Sequence, residues 1–317
     1  MDINRRHFFK LSGIMAAAPL AASEKTAQAS GKPDARTDTY GCLVDTTLCV
    51  GCRQCEKACN ERHGLPEPEE PFDEKTVLEN PRRPDETSYT VVNKYYPMNI
   101  GALTWRNRPT FVKFQCMHCN DPSCASACLV GALHKNPEGP ITYDVSKCIG
   151  CRYCMVACPF QIPAYEYDKP LTPRVRKCTF CFEYVKKGGL PACAQVCPRE
   201  VMTFGKRSEL LRLARWKMKN NPGKYVDHIY GEHEVGGTSW MYLASEPFEN
   251  IGFPKLGTKA PPRLTEAIQH GLFRYMAAPL GLYLLLGGIM WRTGFFNEPS
   301  DAEQSSEKTP SEKGKTA

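Results

Sequence analysis

CIGCRYCMVACP, residues Cys148–Pro159, packs four thiols into eleven residues and closes on a proline. Three chemistries could use such a cluster. Disulfides suit an exported chain, but the three thiols Cys148, Cys151 and Cys154 within seven residues would leave odd partners. A structural zinc ion normally draws on two separated C-x2-C knuckles. Three close sulfurs with a fourth set further along fit a 4Fe-4S cube, and C-x2-C-x2-C-x3-C-P is a run whose fourth cysteine ligates the neighbouring cube. We adopt the cube.

The other cysteines repeat the theme. Sixteen of the seventeen fall into four groups. These are Cys49, Cys52, Cys55, Cys59; Cys116, Cys119, Cys124, Cys128; Cys148, Cys151, Cys154, Cys158; and Cys178, Cys181, Cys193, Cys197, with Cys42 left over. Groups two and three lie only 19 residues apart (129–147), the scale of one two-cluster unit, so groups one and four should enclose them. Crossed ligation then predicts four cubes: Cys49/Cys52/Cys55/Cys197, Cys178/Cys181/Cys193/Cys59, Cys116/Cys119/Cys124/Cys158 and Cys148/Cys151/Cys154/Cys128.

Val44-Asp45 precedes Cys49 at the spacing by which Tyr143-Asp144 precedes Cys148. Each pair ends a short extended stretch, "GCLVD" and "ITYD", read as a strand entering a cluster loop. The Ala-Cys before a proline then lies on a short helix that Pro159 or Pro198 stops. Repeated strand–loop–helix units imply an α+β chain of tandem ferredoxin-like modules with four cluster-binding loops. Such modules bury little apolar area, so cluster binding should supply much of the folding energy.

Residues 1–29 read as a targeting segment: Asn4-Arg5-Arg6-His7-Phe8-Phe9-Lys10, an apolar run from Leu11 to Leu20, then Ala27-Gln28-Ala29. This is a twin-arginine signal, which implies export of a folded, cofactor-loaded chain. Four basic and two acidic residues leave with it, so the formal charge falls from +7 to +5. That balance does not point to nucleic acid. Arg53, Lys57, Lys147, Arg152, Arg176, Lys177 and Arg199 lie close to cysteines, and each cube on four thiolates carries about −2. We read the basicity as internal compensation.

Residues 30–205 form the cluster domain, with 60–110 as an insertion that reads as a solvated loop. His118 reads as a hydrogen-bond donor beside a cluster or a packed residue, and Cys42 as a buried free thiol. Within 206–271, an amphipathic helix capped by Ser208 leads into an extended arm over 220–262 that holds one strand-like piece, "TSWMYLA". Residues 275–291 are uncharged, and a membrane-spanning helix is expected over 272–296, facing the cluster domain outward. An acidic low-complexity tail, 297–317, remains inside.

Taken together, "GCRYCMVACPF", "KGGLPAC", "YGEHEVGGT", "PFENIGFPKL" and "IQHGLFRYMAAPL" resemble the HybA-type iron–sulfur subunits of periplasmic, membrane-bound nickel–iron hydrogenases. These belong to a wider family shared with molybdopterin oxidoreductases such as formate dehydrogenase. The resemblance implies a subunit with four 4Fe-4S clusters and no catalysis of its own. It would pass electrons between a catalytic partner (hydrogenase small and large subunits, or a molybdopterin subunit) and a quinone-reactive integral membrane subunit. The expected location is the periplasmic side of the inner membrane, in contact with lipid. Leu129 departs from the proline usual after the fourth cysteine, and Asn60 stands at the equivalent place in group one.

Overall fold

The computed structural model describes residues 38–96, 108–169, 172–262 and 279–293. These fall into two units, one within Gln28–Glu266 and one within Ala267–Ala317. The targeting segment 1–29, the tail 297–317 and residues 97–107 of the insertion lie outside the described residues.

The larger unit is organised round β1 (Tyr40–Asp45), whose Cys42, Leu43 and Val44 are all buried. A strand apolar on both faces needs cover on both. On one side Leu43 meets Leu210, Leu211 and Ala214; on the other Cys42 and Val44 join Val112, Phe180, Trp240 and Tyr242. β1 is the central strand of a three-stranded sheet. It pairs antiparallel with β8 (Met202–Lys206), from Tyr40↔Lys206 to Val44↔Met202. Its other edge pairs parallel with β9 (Trp240–Leu243), from Cys42↔Trp240 to Asp45↔Leu243.

β9 contains the strand-like piece of the 220–262 stretch, but that stretch is no arm. Trp240, Met241, Tyr242 and Leu243 are fully buried, and Tyr230, Phe248 and Phe253 pack into the same core. Gly and Pro in this stretch mark tight turns within the core rather than an excursion from it. The helix before it, α6 (Arg207–Asn220), buries Leu210, Leu211 and Ala214. Ser208 does not cap it. Lys206 holds the cap position, and Ser208, one residue inside the helix, donates its N–H at 3.1 Å and its hydroxyl to the carboxylate of Asp38. An ionised acceptor from outside the helix suits the positive end of its dipole better than a serine hydroxyl.

The 60–110 insertion is also partly structured. Its β2 (Thr90–Tyr95) pairs antiparallel with β3 (Thr110–Gln115), and Leu78, Tyr89, Val91 and Val92 are buried. Glu56 anchors it. Its carboxylate, 5% exposed, accepts from Arg53 Nε at 3.1 Å, Arg82 Nη2 at 2.6 Å and the Val92 N–H at 2.6 Å. Arg53 in turn donates to the carbonyls of Pro71 and Glu74.

Two small hairpins, β4 (Leu133–Lys135) with β5 (Ile141–Tyr143) and β6 (Ala164–Tyr165) with β7 (Val175–Arg176), complete the strands. β1 and β5 each enter a cysteine loop, as the repeat predicted. The helices that follow differ in length for a local reason. Cys158 precedes Pro159, which disfavours helical backbone at that residue. Cys158 is extended (φ −77°, ψ 115°), and α3 stops at Tyr153–Ala157. Asn60 imposes no such stop, so α1 runs over Gln54–His63 until Gly64 closes it at φ 56°.

The short helices pack in crossed pairs. α1, with Cys55 and Cys59, lies against α5 (Ala192–Gln195), with Cys193. α2 (Ser123–Ser126), with Cys124, lies against α3, with Cys154. Thr179, Phe180 and Cys181 lead into α4 (Phe182–Val185).

In the second unit the described residues form a helix over 279–292 whose Leu282, Tyr283, Leu284 and Trp291 are exposed. Among the described residues no helix is long and apolar enough to cross a membrane. The membrane-spanning helix expected over 272–296 has no support among the described residues, and 272–278 and 294–296 lie outside them.

Breaking one partner from a buried ion pair costs about 3 kcal/mol. Glu56→Gln should lower stability by that order and loosen the insertion, seen as an earlier midpoint in chemical unfolding followed by tryptophan fluorescence. An unchanged midpoint would mean that the insertion is not held through Glu56.

Candidate iron–sulfur centres

All four C-x2-C loops share one backbone device. The residue just before the second cysteine lies in the left-handed region: Gly51 (φ 67°), His118 (φ 48°), Gly150 (φ 71°) and Phe180 (φ 62°). Arg53 (φ 62°) and Arg152 (φ 60°) return to that region two residues on, while in the fourth loop Cys181 (φ 49°) follows Phe180 directly. Alternating right- and left-handed residues turn successive N–H groups towards one concavity, which favours an anion. Glycine takes this conformation without penalty, whereas His118 and Phe180 each cost on the order of 1–2 kcal/mol. At Gly51 space also decides, because an added Cβ would stand 2.4 Å from Phe111 Cδ1.

Cysteines from different runs lie close to one another in the packed interior. None of the seventeen cysteines pairs in a disulfide. Burial raises most of their pKa values, to about 11 for Cys49 and Cys154 and about 12 for Cys124 and Cys178. Beyond burial, the sulfurs act on one another. Cys49 feels Cys52 and Cys197; Cys59 feels Cys178, Cys193 and Cys181. Cys119 feels Cys124, Cys116 and Cys158, and Cys154 feels Cys128, Cys148 and Cys151. Cys55 joins Cys49 but also feels Cys193. In each of these sets the fourth cysteine of one run lies near cysteines of another.

A void lined by Cys49, Cys52, Cys55 and Cys197, with Lys113, Val201 and Met202, marks where one predicted quartet converges. Among the described residues no three His, Cys, Asp or Glu side chains close tightly enough to hold one metal ion. A tetrahedral zinc site would bring sulfurs to about 3.8 Å of one another, given Zn–S bonds of about 2.3 Å. A cube, being larger, holds its thiolates further apart, and four thiolates are its usual donor set. Backbone N–H groups also reach the sulfurs: Ala132 to Cys128 at 3.2 Å, Phe180 to Cys178 at 3.4 Å and Val201 to Cys197 at 3.4 Å. The residues fit a set of cubes.

Charge compensation takes a different form from the one expected. Of the basic residues named from the sequence, Arg53 is bound to Glu56, Arg176 to Glu166 and Lys147 to Asp144, while Lys57, Arg152 and Arg199 are exposed. Only Lys177 is buried without a carboxylate; its Nζ donates to the carbonyls of Ile141 (2.7 Å) and Cys178 (3.1 Å). Two lysines that sequence reasoning passed over join it. Lys135 Nζ donates to Cys119 O at 2.7 Å; burial brings its pKa down to about 8 against the pull of Cys119 and Cys116. Lys113, 3% exposed, lines the void of Cys49, Cys52, Cys55 and Cys197. A lysine in "TFVKFQ" reads as the wet face of a strand; its only signal was standing three residues before Cys116.

His118 is fully buried and accepts the Ile141 N–H at Nδ1 (3.0 Å). Burial, then Lys177 and Lys135, hold its pKa well below the usual range, so the ring is neutral. Its distinctive part is its left-handed backbone. Cys42 is a buried thiol on the central strand, its pKa raised by burial and then by Cys193.

Comparison with known proteins agrees with this architecture. Residues 108–207 match the family described as the 4Fe-4S dicluster domain. A protein of Nitratidesulfovibrio vulgaris is 49% identical over 83% of this chain and 70% of its own length. The formate dehydrogenase, nitrate-inducible, iron-sulfur subunit of Escherichia coli (strain K12) is 35% identical over 67% of this chain and 71% of its own. The hydrogenase-2 operon protein HybA of Escherichia coli O157:H7 is 35% identical over 88% of this chain and 92% of its own. The chain belongs to the HybA-type family of iron–sulfur electron-transfer subunits, within the wider group that includes the iron–sulfur subunits of formate dehydrogenases.

Proposed function

We propose that the chain is a four-cluster electron relay between a periplasmic hydrogenase and the membrane quinone pool. Each quartet would hold one 4Fe-4S cube, which supplies reversible one-electron transfer when bound. The observation that carries the reading is the contact between quartets. Cys55 packs in one cluster with Cys193, Cys178 in a second with Cys116, and Cys124 in a third with Cys154. These contacts support a linear order: Cys49/Cys52/Cys55/Cys197, then Cys59/Cys178/Cys181/Cys193, then Cys116/Cys119/Cys124/Cys158, then Cys128/Cys148/Cys151/Cys154.

The two ends of that order are where electrons would enter and leave. Around the last quartet Cys151 is exposed, with Ile149 at 63% and Val156 at 86% exposure, which suits a docking face. The protein's own residues set the path by burying the inner sulfurs and aiming N–H groups at them; none is asked to do acid–base chemistry.

The hydrogenase reading is favoured over a molybdopterin enzyme by coverage. The HybA relative matches 88% of this chain, whereas the formate dehydrogenase subunit matches 67%. The formate dehydrogenase-type partner is the second reading, supported by equal identity where the two align. Export by the twin-arginine signal over 1–29 and attachment to lipid and a quinone-reactive subunit through 272–296 rest on the sequence of those segments.

Isolating the complex from washed membranes without air and measuring its metals tests the whole reading. We expect at least about sixteen irons per copy of this chain, from four cubes of four. Nickel beside the iron supports hydrogenase, and molybdenum or tungsten without nickel supports the second reading. Zinc with little iron, or absence from washed membranes, would overturn the proposal. The crossed ligation has its own test: Cys158→Ala should chiefly damage the cube of Cys116, Cys119 and Cys124. Loss of the Cys148/Cys151/Cys154 signal alone, seen by electron paramagnetic resonance, would mean the pairing is wrong.

A further inference from the structure

Lys113 stands out among the buried charges. Its side chain comes off β3 into the core at 3% exposure, where an isolated ammonium is costly. Nζ donates to Gln115 Oε1 at 2.8 Å and sits 4.5 Å from the centre of the Trp240 ring. Gln115 Nε2 donates to the Tyr242 hydroxyl at 2.6 Å, and that hydroxyl donates back to Lys113 O at 2.9 Å. The loop of three side chains holds the ammonium in place, and no ion pair with a carboxylate joins it among the described residues.

What faces Lys113 is sulfur. It lines the void shared by Cys49, Cys52, Cys55 and Cys197. Cys193, Cys55, Tyr242 and Cys178 all lie within electrostatic reach of its ammonium. Lys113 in turn acts on Cys55, Cys59, Cys49 and Cys181. Cys49 and Cys55 belong to the first quartet of the proposed order; Cys59, Cys178, Cys181 and Cys193 belong to the second. Position, and not mere proximity, sets it apart from Lys135 and Lys177, which hydrogen-bond to carbonyls beside the third quartet.

We propose that Lys113 is a positioning charge shared by the first two quartets, which makes the clusters held there easier to reduce together. The inference rests on the four-cube reading. Adding an electron makes a cube more negative, and a fixed cation in a low-dielectric site favours the more negative state. Cation–π contact with Trp240 and the bond to Gln115 let the charge stay where water cannot reach it.

The test is a potentiometric titration of the whole complex followed by electron paramagnetic resonance, comparing wild type, Lys113→Met and Lys113→Arg. In Lys113→Met two of the four cluster signals should shift to lower potential while two hold; in Lys113→Arg all four should stay near their wild-type values. The shifted signals should be those that Cys49→Ser and Cys178→Ser perturb. An equal shift of all four signals, or of none, overturns the proposal. If Lys113→Met fails to load the two clusters and Lys113→Arg loads them, the charge is required and the proposal stands; failure of both variants assigns the site to lysine's shape and overturns it. Wild-type protein without cubes would sink the four-cube reading itself, and this inference with it.

Discussion

Four times the backbone enters the left-handed region one residue before the second cysteine of a C-x2-C pair, and most of the structure is arranged round those turns. They aim N–H groups at a point where sulfurs also converge, so the loop is shaped for a negatively charged body before one is bound. Two turns use glycine and two use residues with a Cβ, His118 and Phe180. Both of the latter are fully enclosed, and their rings pack 5.1 Å apart, edge to face. Packing on that scale offsets the strain that glycine avoids.

The second constraint is charge. Buried thiols resist ionising, and iron must displace their protons as it binds. The protein answers with ammonium groups held on carbonyls and an amide, in Lys113, Lys135 and Lys177, while the guanidinium groups of Arg53, Arg82 and Arg176 are committed to the carboxylates of Glu56 and Glu166. The division follows from shape. A planar fork matches a carboxylate in two places, whereas a point charge can sit against a carbonyl beside a sulfur without competing for a ligand position.

The cysteine spacing carried the local architecture into the structure almost directly. Strand, loop and short helix follow one another where Val44-Asp45 and Tyr143-Asp144 said they would, and Pro159 ends α3 as a proline should. What lay out of reach was long-range. Nothing in "TSWMYLA" says that it will pair parallel with a strand two hundred residues earlier, because a buried central strand and a stray apolar piece look alike at that length. The same holds for Lys113, whose alternation in β3 is compatible with either face, and for Ser208, which has the right chemistry for a cap but was outcompeted by Asp38 from across the turn.

The parallel pairing of β1 with β9 also sets an order of events. Thr46 Oγ1 donates to Leu243 O across 197 residues, so the sheet has an open edge until nearly the whole cluster domain has been made. A nascent chain that has passed Pro159 already contains all the cysteines of the two inner runs, 116–128 and 148–158, whereas the outer runs wait for Cys193 and Cys197. Loop closure over such a span is slow and unrewarded until its last contacts form. The domain is thus a clasp whose tongue is β9: the cysteines of the middle are all present while the chain is still emerging, and only β9 shuts the case.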